Sequence, residues 1–493
     1  MRGILRLLLP REGEVSGRLR SDGGGGGDLR RVSSPSVTLA RDSSPYGGAR
    51  VLLFLLFALI APIGPALAQT SAAPSGVNVE RIVSPEGIEA WLVADSTVPM
   101  IVMRAYWRGG SAIEPVRASG VTGVMADMLT EGAGELDANA FKERLEDLNM
   151  SLGFGAGWDG VAMSLITLSE NREAAFEMAR LALAAPRFDA APLERIKRQM
   201  LVGIRQRETN PNFIANLALD QAFYPDHAYA RRTSRESVAA IDRAALQGRR
   251  AALLNRATLR VTIVGDINVE TARGALDRVF GALPLGAAPP EPANAALDPP
   301  TPLILRELPQ PQSLVLFAAP GIQDEDPDWI ALTVANYILG GGGFSSRLMS
   351  EVRERRGLVY GIATSASVRD HVALIRGSAQ TENGDVAEAI EATRGEIGRL
   401  YRDGATQEEV NDAITYLTGS FALDLDSNAK IASVLYGYQA TGREIDYINR
   451  RNDLIREVAL ADVNRVIRRL FNPDAFTFVV VGQPEGLEAS TSN

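Results

Sequence analysis

The chain has 493 residues, 46% of them apolar and 23% charged, and a formal net charge of −9. That length exceeds one ordinary domain, the mix is that of a soluble globular protein, and so modest an acidic balance gives no reason to expect a nucleic-acid partner. Cysteine is absent, which removes disulfides, thiolate metal sites and a cysteine nucleophile together, and only two histidines occur, His227 and His371.

The N-terminal stretch reads as an export signal. Arg50 precedes an apolar run, Val51 to Ile63, and Ala66-Leu67-Ala68 before Gln69 fits a small-x-small cleavage site. The run is short and poorly flanked for a membrane span, and an uncleaved anchor is the alternative. Residues 1–68 are therefore set aside as signal and disordered leader. Residues 1–49 are long for an n-region, which leaves open a start codon further in. The expected location is the periplasm.

Beyond a low-complexity spacer, Thr70 to Asn78, the chain divides at Pro284 to Pro302, where seven of nineteen residues are proline. Such a stretch cannot build a packed element and reads as an extended linker between domains at 78–283 and 303–485. In the first domain Ile88 to Val93 and Ile101 to Trp107 are expected to form a strand pair. Val121 to Leu129 and Ala138 to Asn149 read as helices, the second with Asp137 as N-cap, followed by a strand at Val161 to Leu168 and a helix at Glu170 to Ala184. Each domain closes on a strand: Leu259 to Val264 before Gly265, and Phe476 to Val481 before Gly482. Amphipathic patterns at Ala191 to Arg207 and Gln407 to Leu423 carry Gly203 and Gly419, which repeat at almost the same offset as Gly265 and Gly482. So nearly constant an offset argues for a duplicated unit. Segregated strands and helices give an α+β fold of two homologous domains, each a mainly antiparallel sheet with helices packed on one face.

The two histidines are distant in sequence, a poor start for a zinc site, and read as surface or loop residues. The arginine runs Arg231-Arg232 and Arg353 to Arg356 need separate treatment, since most such runs are solvated faces; Arg356 reads as one such charge. The stretch Trp107-Arg108-Gly109-Gly110-Ser111, Glu114-Pro115 and then Gly120 to Leu129 resembles the catalytic segment of the pitrilysin/insulinase zinc metallopeptidase family. There a helix carries H-x-x-E-H: two histidines four apart ligate zinc and the glutamate activates a water. The matching places here hold Gly123, Ala126 and Asp127. The family's third ligand, a glutamate on a later helix, falls at Gly203, and the family pattern resumes with Arg207-Glu208-Thr209-Asn210-Pro211. Asp127 alone reads as a surface or capping carboxylate. The resemblance thus implies a degenerate zinc site, with no metal and no cofactor in this chain.

The second domain keeps more. Leu339 to Gly343, Phe344-Ser345-Ser346-Arg347-Leu348 and then Glu351 to Tyr360 look like the family's second-domain signature. The glycine run lacks a Walker Lys-Ser/Thr, which argues against phosphate binding. In active family members an arginine and a tyrosine seven residues later approach the zinc from this domain, and Arg353 and Tyr360 have that spacing. The resemblance implies that the Tyr360 hydroxyl donates to an oxyanion and that Arg353 anchors a substrate carbonyl or carboxylate. The plain alternative makes Arg353 a solvated helix charge and Tyr360 a core ring. Some peptidases of this family are built from two chains, one with H-x-x-E-H and one with the Arg/Tyr pair. The expectation is therefore the non-metal subunit of a heteromeric periplasmic zinc peptidase. It would lend Arg353 and Tyr360 to a zinc-bearing H-x-x-E-H partner in a heterodimer, with peptides or unfolded segments as substrates, held by strand addition. The alternative is a non-enzymatic binding or scaffold protein of the same fold, like the related respiratory-complex core subunits.

Overall fold

The computed structural model describes residues 76–298 and 301–487, so the signal and leader readings for residues 1–68 lie outside the described residues. Before the linker, six strands form one sheet: β1 (Glu80–Val83), β2 (Glu89–Ala94), β3 (Met100–Arg108), β4 (Ser151–Ala156), β5 (Gly160–Leu168) and β6 (Arg260–Gly265), in the order β1-β2-β6-β3-β5-β4. After it, five strands form a second: β7 (Leu303–Glu307), β8 (Gln312–Pro320), β9 (Gly361–Arg369), β10 (Val372–Glu382) and β11 (Thr477–Gly482), in the order β7-β11-β8-β10-β9. Each sheet is antiparallel except for one parallel pair, β2 with β6 and β7 with β11.

The expected pairing of Ile88–Val93 with Ile101–Trp107 does not form. Strand β6 lies between β2 and β3, parallel to the first and antiparallel to the second. The reason is in its sequence: RVTIVG is a near-continuous apolar run, buried from Val261 onward, and such runs take the middle of a sheet covered on both faces. Strand β11, TFVVVG, is buried throughout for the same reason.

The helices in chain order are α1 (Val121–Met128), α2 (Ala138–Asp147), α3 (Arg172–Ala184), α4 (Ala190–Arg207), α5 (Pro211–Phe223), α6 (Arg235–Ala239), α7 (Arg243–Leu253) and α8 (Val269–Phe280) before the linker. After it come α9 (Trp329–Asn336), α10 (Val386–Asp403), α11 (Gln407–Gly419), α12 (Asn428–Ala440), α13 (Tyr447–Arg456) and α14 (Leu460–Leu470). Asp137 caps α2 as expected, accepting from the amides of Asn139 and Ala140. The helix expected to reach Leu423 stops at Gly419 and runs on as a 3₁₀ turn. The duplication extends further than two glycines reveal. Helices α4, α5 and α7 and strand β6 begin at 190, 211, 243 and 260, and α11, α12, α14 and β11 begin at 407, 428, 460 and 477, all four pairs in the same register.

One face of each sheet packs on its own helices. The other face is covered by a helix of the opposite half. Ala215, Ala218, Leu219 and Phe223 of α5 lie against Leu314, Leu316 and Ala318 of β8 and Val479 and Val481 of β11. Reciprocally, Ala432, Leu435 and Tyr438 of α12 lie against Trp91 and Val93 of β2, Val102 of β3 and Val264 of β6. Polar groups are matched inside these contacts, as buried ones must be: Thr262 Oγ1 donates to Gln439 Oε1 at 2.7 Å. On the other side the Asp220 carboxylate accepts from the Tyr224 hydroxyl and from Arg232 at 2.7 Å, and lies 3.5 Å from Arg376 of β10. Residues 284–298 form no helix or strand, yet hydrogen bonds bind them to both halves: Ala295 N donates to His371 O at 2.9 Å and Asp298 N to Phe223 O at 2.8 Å.

Candidate functional site

Helix α1, where the resemblance puts the zinc-binding helix, is well built. The Glu114 carboxylate accepts from the amides of Gly120 at 2.7 Å and Thr122 at 2.6 Å, placing a negative charge at the helix's positive end. Arg249 of α7 ties the turn down through Thr122 Oγ1 at 2.8 Å and Gly110 O at 2.6 Å. Helix α4, carrying Gly203, packs against α1. A Cβ added at Gly123 or at Gly203 would meet no atom within 4 Å. Both positions therefore face open space and contribute no side chain to it. Asp127 lies one helical turn beyond Gly123 and is exposed, whereas Ala126 points into the core. Gly123, Ala126 and Gly203 thus offer no side-chain donor atom. Among the described residues no group of three histidine or acidic side chains is arranged to hold a metal.

The second set of residues is organised around the glycine turn. Residues Tyr337–Gly341 and Met349–Arg355 wind as π-helix, a form that recurs at functional sites. Between them Gly343 takes φ +61°, a conformation that favours glycine, and the buried Ser346 hydroxyl closes the turn on Gly343 O at 2.7 Å. Arg347 is architectural: it grips both oxygens of Glu409 on α11 at 2.6 and 2.7 Å. The buried Glu351 carboxylate receives Arg355, Arg356 and Arg399 at 3.1, 3.0 and 2.9 Å. Arg399 and Arg356 together hold it below the usual carboxylate range. Arg356 is thus not the free solvated charge that its sequence suggests, because Glu351 is buried and draws it in.

Arg353 differs from its neighbours. It forms no ion pair among the described residues, and its guanidinium lies 4.7 Å from the centre of the Phe344 ring. Tyr360 is not a core ring: it is 57% exposed, its amide donates to Gln380 O at 3.1 Å, and its hydroxyl donates to Glu382 at 3.2 Å. Tyr360 is exposed and Arg353 half-buried on the Phe344 ring, both on a braced segment. Among the described residues no hydrogen bond, ion pair or ring contact joins them to α1. Sequence reasoning missed Phe344 and Glu382. A large apolar residue inside a glycine turn was a legible signal for the first; nothing local marks Glu382, at the far end of β10.

The histidines are corrected in one respect. Distant in sequence, they are neighbours in space, with ring centres 6.3 Å apart beside Tyr229, and His371 is buried in the turn between β9 and β10. His227 caps the short turn after α5, and the β4–β5 and β9–β10 hairpin tips also meet there. Asp370 N donates to Asp159 at 3.3 Å, and Arg108 lies 3.9 Å from Asp370. Burial, and then the charge of Asp159, push the Asp370 carboxyl up to about 6, against the pull of Arg108. An open groove of about 530 Å³ lies between the linker and residues 224–231, and neither Arg353 nor Tyr360 lines it.

Two duplicated α+β halves, with no donor side chain at Gly123, Ala126 or Gly203, define a protein of metallopeptidase-like fold. Known proteins place it in a family. A family model described as the peptidase M16 inactive domain matches residues 240–417. The crystal structure of a peptidase M16 inactive domain from Pseudomonas fluorescens is 30% identical, with a TM-score of 0.77 over 84% of this chain and 99% of that one. A protease from Helicobacter pylori shares the fold at 15% identity and a TM-score of 0.74, over 82% of this chain and 99% of that one. Among curated relatives, the non-peptidase homologue YmxG of Helicobacter pylori is 26% identical over 78% of this chain and 89% of its own length. The uncharacterized zinc protease YmxG of Bacillus subtilis is 23% identical over 80% of this chain and 96% of its own length. The chain belongs to the peptidase M16 family, as a non-catalytic member.

Proposed function

We propose that this chain is the non-metal subunit of a heteromeric, exported zinc peptidase and that it supplies Arg353 and Tyr360 to a partner bearing H-x-x-E-H. One observation carries the reading. Neither residue of the pair braces the fold, since among the described residues Arg353 is a cation without a carboxylate and Tyr360 a phenol outside the core. Arg347, Glu351, Arg355 and Arg356 of the same signature are all spent on internal ion pairs.

The chemistry follows from the side chains. A phenol hydroxyl can donate to the oxygen that gains charge as a peptide bond is attacked, a contact stronger in the transition state than in the ground state. A guanidinium offers paired donors to a backbone carbonyl or carboxylate and so orients the substrate. Zinc, held by the partner, would supply the activated water.

The test is co-expression with an H-x-x-E-H relative encoded in the same genome, gel filtration of the complex, and kinetics on a quenched peptide. Tyr360→Phe should assemble and lose about 10²–10³ in kcat. Arg353→Ala should raise KM at least as much as it lowers kcat. Arg450→Ala, at an exposed helix arginine paired, among the described residues, only with Asp446, is the control. If both variants assemble and cleave at the wild-type rate, the chain is a scaffold.

A further inference from the structure

We infer that Phe344 is a positioning residue for Arg353: its ring fixes the direction of the guanidinium and leaves the N–H groups open. The inference rests on the reading of Arg353 as a substrate anchor. Single exposed apolar side chains are ordinary on protein surfaces. Phe344 is distinguished by what lies on it. It is 64% exposed, contributes to no apolar core among the described residues, and carries the Arg353 guanidinium at 4.7 Å from its ring centre. Arg355 and Arg356, on the same segment, pair with Glu351 instead.

The choice of a ring over a carboxylate has a chemical consequence. A carboxylate would occupy the in-plane N–H donors and cancel the charge, competing with any substrate oxygen. An aromatic ring meets the cation through its own π face, with attraction but no acceptor atom, so all five donors stay available. The ring's place is set by its backbone. Gly343 at φ +61° turns the chain outward, and a Cβ at Gly342 would lie 3.0 Å from the Tyr337 ring, so the turn has little freedom to drift. A pre-ordered arginine loses less freedom when substrate binds, and that gain should register in KM.

Three variants test this in the reconstituted complex. Phe344→Leu keeps apolar bulk and removes the π face; it should raise KM about two- to fivefold with kcat nearly unchanged, the range of an exposed cation–π contact. Phe344→Tyr keeps the face and should behave as wild type. If Arg353→Ala raises KM while Phe344→Leu is silent, the inference fails and the reading of Arg353 stands. If Leu and Tyr impair alike, the ring does not act through its π face, and the inference fails again. If Arg353→Ala is itself silent, the functional reading falls and takes the inference with it. A measurement on this chain alone needs no partner. With isotope-labelled arginine, the Arg353 side-chain resonance, identified by its loss in Arg353→Ala, should show an upfield ring-current shift that Phe344→Leu abolishes. An unchanged shift in Phe344→Leu would overturn the contact.

Discussion

Replacing Asp220 by asparagine should unfasten the two halves of the molecule. The Asp220 side chain is 3% exposed and accepts from Tyr224, from Arg232 at 2.7 Å and, at 3.5 Å, faces Arg376, itself only 19% exposed. Asparagine keeps the shape and still accepts the tyrosine hydroxyl, so the change isolates charge. Arg232 retains the carbonyls of Tyr229 and Arg231, both at 2.8 Å. Arg376 retains, among the described residues, only Asn216 at 3.0 Å, and burial already pulls its guanidinium down from its ordinary value. Removing one partner of a buried pair costs about 3–5 kcal/mol, and with Arg232 still satisfied the loss should fall near the lower end, about 3 kcal/mol. Urea unfolding read by tryptophan fluorescence is the assay, Trp158 standing close to Arg232. The double variant Asp220→Asn with Arg376→Met should recover most of the loss, since no guanidinium is left stranded. A single variant within about 0.5 kcal/mol of wild type, the ordinary range for a surface substitution, would refute the reasoning, as would a double variant that loses the sum of both singles.

Asp370 gives a pH-dependent prediction. Its folded pKa, about 6, lies above the ordinary carboxyl value of 3.8, so the stability this group contributes is fully present only below 3.8 and is lost as pH rises through 6. Asp370→Asn should therefore stabilise the fold at pH 8, by about 1–2 kcal/mol once the 30% exposure of the side chain is allowed for, and be nearly neutral at about pH 3; an equal effect at both pH values would refute it. Metal analysis of the purified chain should find well under one zinc per molecule, because Gly123, Ala126 and Gly203 present no donor; about one tightly held zinc would contradict the site as described. Mass spectrometry of the exported protein should place its N-terminus at or near Gln69, and retention of residues 1–68 would count against the signal reading.

The duplication and most helices and strands were legible in the sequence, because they are written in local periodicity and in a repeated spacing. The place of β6 between β2 and β3 was not, since pairing partners so far apart in the chain leave no local trace beyond an apolar run. For the same reason Arg356 read as solvated. Its partner Glu351 looked like one more charge in a charged helix, and only burial reveals that three arginines converge on it. The meeting of His227 with His371 joins a turn after α5 in one half to a hairpin tip in the other, which no pattern within either half anticipates.

The exchange of α5 and α12 bears on how such a molecule comes apart and how it arose. Each sheet is finished by a helix from the other side of the linker, so neither half alone can bury the apolar face of its own sheet. Expressed separately, each would display a broad greasy surface and precipitate or seek a mate. Expressed together as two pieces cut within 284–302, they would still close on each other, for the covering helices need no continuous backbone. That is the geometry of a swapped homodimer whose subunits were later spliced end to end. In the single chain the two copies differ, one with no side-chain donor at Gly123, Ala126 or Gly203 and the other carrying Arg353 and Tyr360.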